Sequence, residues 1–184
     1  MHNAECKMAL ARRVVATVCI LHFAFCISTR SVAAETIDRV LAVVAGNLIT
    51  LSDVNAANEL GLIRASLSSA DPVRDVLSQL IDRELQLTEV ERFAPPEPTA
   101  EAVDEAVAEV RARFPSEQTL NAVLARSGID LQHLRETLRE NLRIRAYIDQ
   151  RFASAGEGRQ PMVDEWISGL RRRAQIANLY VPGR

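Results

Sequence analysis

The chain has 184 residues, 48% hydrophobic and 25% charged, with 22 basic against 24 acidic side chains. That composition excludes a disordered or fibrous chain, and the near-balance of charge excludes a nucleic-acid binder relying on a broad basic field. Cys6, Cys19, Cys26, His2 and His22 all fall in the first 26 positions, which leaves His133 as the one imidazole beyond them.

Those first positions read as an export signal. Lys7, Arg12 and Arg13 form a basic start, and VVATVCILHFAFCI follows from Val14 to Ile27, a run of 14 mostly apolar residues. A membrane-spanning helix needs roughly 20 such residues, so the run has signal-peptide length and is short for a retained anchor, the alternative reading. A lipoprotein is disfavoured because Phe25 precedes Cys26 where a small residue is expected. Cleavage after Ala33 or Ala34 would leave a single domain, 35–184, outside the cytoplasm and without a stable membrane anchor. It carries 18 bases, all arginine, against 23 acids, a net charge of −5, and no cysteine for a disulfide.

Residues 37–45, IDRVLAVVA, are rich in β-branched types and predict a buried strand. Gly46-Asn47 predicts a two-residue hairpin turn into a second strand at 48–51. Ser52 and Asp53 are candidate N-caps of a first helix to about Leu67, with Gly61 a weak point. Asp71-Pro72 opens a second helix, because proline at the first helical position forfeits no hydrogen bond; APPEP (94–98) stops it. Thr99 caps a third helix to Phe114, and Pro115 breaks it. Ser116 begins a short helix closed by Gly128. Asp130 caps the longest helix, to about Phe152, with Leu131, Leu134, Leu138, Leu142, Ile148 and Phe152 as its stripe. A loop leads through Pro161 to a last helix with Val163, Trp166, Ile167 and Leu170. AQIANLYV (174–181) reads as a terminal strand. The fold class is therefore mainly α with a small antiparallel β-sheet. A lone hairpin is marginal in water, so the terminal strand is expected to add to it.

No catalytic constellation emerges. His133 lies three residues after Asp130 with no nucleophile or polarising partner implied, and fits an exposed first-turn histidine. Carboxylate pairs such as Glu101/Glu105 alternate with arginines and make no metal set. Neither a phosphate loop nor a nucleophile elbow is present, so no metal or cofactor is expected. Arg171-Arg172-Arg173 reads as the solvated end of a helix, where cations suit the dipole; an anionic lipid or phosphate is the alternative.

The hairpin RVLAVVAGNLITLSDV, followed by RDVLSQLIDRELQLTEVERF, TAEAVDEAVAEVRARF and LRETLRENLRIRAYIDQRF, resembles the N-terminal chaperone domain of the SurA family of periplasmic chaperones and peptidyl-prolyl isomerases. The resemblance covers essentially all of 35–184, rests on order and spacing, and makes 161–184 the returning C-terminal helix and strand. Family members insert one or two parvulin isomerase domains before that returning helix. Here only Ala153 to Gln160 separates Phe152 from Pro161, which is linker length. The resemblance thus implies a periplasmic holdase for unfolded exported proteins, β-barrel precursors of the outer membrane above all, without the isomerase. A prolyl isomerase by family name and a dedicated assembly or adaptor protein stay open as alternatives. Candidate peptide contacts are Leu60, Leu62, Ile63 and Leu67 of the first helix, with Trp166 and Tyr180 near the returning segment; core packing is the competing role for each.

Overall fold

The computed structural model describes residues 38–182, so the expected export signal lies outside the described residues. In chain order they form β1 (Val40–Val44), β2 (Asn47–Thr50), α1 (Leu51–Glu59), α2 (Pro72–Phe93), α3 (Ala100–Arg111), α4 (Glu117–Arg126), α5 (Leu131–Arg151), a 3₁₀ turn (Gly156–Gly158), α6 (Arg159–Arg173) and β3 (Ile176–Asn178). The architecture is mainly helical with one antiparallel sheet, strand order β2-β1-β3.

The hairpin turns one residue earlier than predicted. Val44 pairs with Asn47, so Ala45-Gly46 forms the two-residue loop, and both residues have positive φ, 50° and 95°. That is the conformation whose twist matches the flanking strands, and Gly46 adopts it without steric cost. The register slips by one between Val40 and Ala42. This bulge breaks strict alternation and lets neighbouring Leu41 and Ala42 both be buried. β3 pairs with β1, Ala42 opposite Asn178 and Val44 opposite Ile176. The predicted addition of the terminal strand to the hairpin is thus present, but the strand is three residues long, extended by the Leu179 amide donating to the Leu41 carbonyl at 2.9 Å.

The first helix departs from expectation at both ends. Its N-cap is Thr50: the Thr50 hydroxyl accepts from the Asp53 amide while Asp53 accepts from the Thr50 amide at 2.8 Å. Asp53 is therefore the third helical residue of a capping box and not the cap itself. The helix ends at Glu59, eight residues short of Leu67. Gly61, at φ +67°, takes the left-handed conformation of a Schellman stop: its amide donates to the Asn58 carbonyl at 3.1 Å and the Leu62 amide to Ala57 at 2.9 Å. Gly128 closes α4 in the same way, as predicted, with Ile129 donating to Leu124 at 3.1 Å. Asp71, Thr99, Ser116 and Asp130 cap their helices as read from the sequence. α3 stops at Arg111, three residues before Phe114, and α6 begins at Arg159, ahead of Pro161.

Burial divides into two main clusters. One joins the sheet to α1, α2 and α6 through Leu41, Val44, Ile49, Val54, Leu77, Ile81, Leu85 and Leu170. The other joins the end of α1 to α3, α4 and α5 through Leu60, Val107, Val110, Leu120, Leu124, Leu134 and Leu138. α1 serves both, with Ala57 turned to the first and Ala56 to the second. A smaller cluster, Leu87, Val90, Ile144 and Tyr147, locks the later parts of α2 and α5 together.

Candidate functional site

Between the two main clusters lies an open cleft of about 790 Å³, within the size range of sites that bury a small ligand or a few side chains. The positions of its walls follow from helix order. Arg83 of α2 meets Thr137, Glu140 and Asn141 of α5, and further on Leu87 and Val90 meet Ile144 and Tyr147. The contacts advance together, so α2 and α5 run the same way. Parallel neighbours need a long return, and α3 with α4 supplies it. α6 packs antiparallel on α2, where Arg171 reaches back to Asp82 at 2.5 Å and to the Ser78 carbonyl at 2.9 Å.

Apolar side chains from five segments line the cleft: Leu48 and Ile49 of β2, Leu60 with Leu62 and Ile63 behind α1, Leu80 of α2, Ile144 and Ile148 of α5, and Ile167 of α6. Arg83 spans it. Its Nε donates to Asn141 Oδ1 at 2.7 Å, and its terminal nitrogen donates to Glu140 Oε2 at 2.6 Å and to the Thr137 carbonyl at 3.3 Å. With 17% of that side chain exposed, this is a mostly shielded, charge-assisted brace between the two long helices. Arg159 ion-pairs with Asp149 at another point of the lining.

The candidate contacts read from the sequence divide. Leu60, Leu62 and Ile63 do line the cleft, but Leu60 is 1% exposed and packs the second cluster, so it forms floor. Leu62 and Ile63 are half-buried and form the wall. Leu67 stands fully exposed beyond the Gly61 stop, away from the lining, because the helix expected to carry it there has ended. Trp166 faces elsewhere: its ring lies 5.9 Å from those of Tyr147 and Phe152, with Phe93 5.5 Å from Tyr147. The Arg151 guanidinium covers three of those rings at 5.7–5.9 Å and donates to the Tyr147 hydroxyl at 3.1 Å. Tyr180 is half-buried, its hydroxyl donating to Asp71 Oδ1 at 2.8 Å, which ties the end of β3 to the cap of α2. Arg171, read as part of a solvated run, instead links α6 to α2, while Arg172 and Arg173 are exposed. Sequence reasoning missed the rest of the lining, Arg83, Ile144, Ile148 and Ile167 among it. The isoleucines sit in ordinary amphipathic stripes and Arg83 reads as one more surface charge, so nothing local marks them as parts of one cleft.

His133 is exposed on the rim, its amide donating to Asp130 at 2.7 Å in the capping turn. Among the described residues no group of three His, Cys, Asp or Glu side chains is placed to hold a metal ion, and no helix is long and apolar enough to cross a membrane. In comparison with known proteins, no family model matches the chain, and no curated protein matches it.

Proposed function

We propose that the protein is a periplasmic chaperone that holds unfolded exported polypeptides, outer-membrane β-barrel precursors above all, by seating short apolar segments in the cleft between α1, α2 and α5. The observation that carries this reading is the cleft itself: an apolar floor, open to solvent, with half-buried Leu62, Ile63, Ile148 and Ile167 among its walls. Contact of this kind is non-directional and so tolerant of sequence, which suits clients that share hydrophobic patterning and little else. The export-type N-terminus and the SurA-like order of elements support the same reading. α5 and α6 are joined by residues 152–158 alone, a connection too short for an inserted isomerase domain, so the proposed activity is binding without prolyl isomerisation.

The exported protein, purified from its processed form, is expected to suppress light scattering by an unfolded porin at stoichiometric ratio. Ile148→Asp, which plants a charge on the cleft wall, is expected to abolish most of that suppression while leaving the helical circular dichroism intact. A proline-peptide assay is expected to stay at the background rate. Failure of the wild type to suppress aggregation overturns the proposal, as does co-purification of one folded stoichiometric partner in place of a range of clients.

A further inference from the structure

Resting on the reading of the cleft as a polypeptide site, we infer that it selects apolar segments carrying arginine or lysine over matched segments carrying aspartate or glutamate. Carboxylates outnumber guanidinium groups six to three in its lining, and the pairing within the lining leaves that excess unevenly covered. Arg83 is held by Glu140 and Arg159 by Asp149. Asp82 and Glu136 are answered from outside the cleft, by Arg171 and Arg139. Arg145, the third cation, also borders a neighbouring cavity lined by Glu105 and Glu109. Among the described residues, two carboxylates of the lining meet only neutral donors: Glu84 accepts from the Asn47 side-chain amide at 2.6 Å, and Asp53 from the amide and hydroxyl of Thr50 at 2.8 Å.

Glu84 lies near the hairpin end of the cleft, where Leu48 presents an apolar side chain that is 60% exposed. An apolar residue seated against Leu48 would bring a neighbouring cation on the same segment to the Glu84 end, whereas an anion there would meet like charge with no guanidinium to receive it. Residues 35–184 carry a net charge of −5, which favours the same sign of client during encounter.

Three labelled peptides test this, sharing one alternating apolar frame with Arg, Gln or Glu at the polar positions and measured by fluorescence anisotropy against the exported protein. At low salt the Arg peptide is expected to bind on the order of tenfold more tightly than the Glu peptide, with Gln between, and the gap is expected to close as salt rises. Glu84→Gln is expected to narrow the gap about threefold, chiefly by weakening the Arg peptide. Glu117→Gln, at an exposed position at the start of α4 and outside the lining, makes the same change in net charge and is expected to leave the gap intact. Equal binding of all three peptides, or equal effects of the two variants, overturns charge selection and leaves the polypeptide site standing. Binding of none overturns the polypeptide site as well.

Discussion

Ala45 and Ala94 hold left-handed backbone conformations, at φ 50° and 44°, where a β-carbon costs roughly 1–2 kcal/mol. Ala94 ends α2, its amide donating to Val90 at 3.0 Å and to Glu91 at 3.3 Å. Glycine fits that position without the steric cost, although it gives back part of the gain through a freer unfolded chain. Ala94→Gly is therefore expected to raise stability by about 0.5–1 kcal/mol, read as a higher urea midpoint at unchanged slope. An unchanged or lower midpoint would show that the alanine is not held left-handed. Neither site was visible in the sequence, because alanine carries no turn signal of its own. Proline at 95 and 96 announced where α2 must stop but not which residue would take the strained angle. Asp71, Thr99, Ser116 and Asp130 were legible for the opposite reason: a short polar side chain directly before an apolar period can satisfy an open helix amide locally.

At the scale of elements, the cleft depends on a brace that the sequence conceals. Arg83 looks like one more charge on α2, yet its guanidinium joins α2 to α5 through Asn141, Glu140 and Thr137. Removing it leaves a partly shielded carboxylate, an amide oxygen and a carbonyl to find water, so Arg83→Ala is expected to cost about 2–3 kcal/mol in urea unfolding. Arg83→Lys should recover only a minor part, since an ammonium lacks the planar fork that reaches two acceptors at once. A double-mutant cycle with Glu140→Gln isolates the charged partner; additive losses would mean that the two side chains act separately. The first helix shows the same limit from the other side. Val54, Ala57 and Leu60 keep helical spacing, and Leu62, Ile63 and Leu67 could extend it. Gly61 nevertheless stops the helix, and Arg113 fixes the stop by donating to the Leu60 and Gly61 carbonyls at 3.1 and 2.9 Å. Gly61 was legible as a weak point, but the contact from residue 113 that braces the stop, about fifty residues later, is one no local pattern reports.

Across the whole molecule, the closure of the described region rests on β3 returning to β1 and on Tyr180 reaching the cap of α2. The strand was legible because IANLY is apolar and follows a helix end, whereas the Asp71 partner was not, being 109 residues away. Asp71 accepts from the Arg74 amide as the helix cap and also from the Tyr180 hydroxyl. The Arg74 amide, helped by the Tyr180 hydroxyl and the Arg74 charge, holds the Asp71 carboxyl below its ordinary 3.8. The bond to that carboxylate pushes the Tyr180 phenol above its ordinary 10.0. The two shifts bound a window from opposite sides. The Asp71 contribution is complete above the usual carboxylate range and is lost as pH falls through the lowered value; the Tyr180 contribution is complete below 10.0 and is lost as pH rises through the raised one. Tyr180→Phe is therefore expected to lower Tm by a constant amount between roughly pH 5 and pH 9. The gap from wild type should shrink in strong acid, where Asp71 becomes protonated and no longer accepts as an anion. An absorbance titration should show Tyr180 ionising above 10.0, with Asp71→Asn bringing it back toward that value. A Tm gap that persists undiminished in strong acid would mean that the hydroxyl acts as a neutral hydrogen bond, independent of the Asp71 charge; no gap at any pH would leave the closure to the ring, which phenylalanine keeps, with Arg74 over it at 6.0 Å.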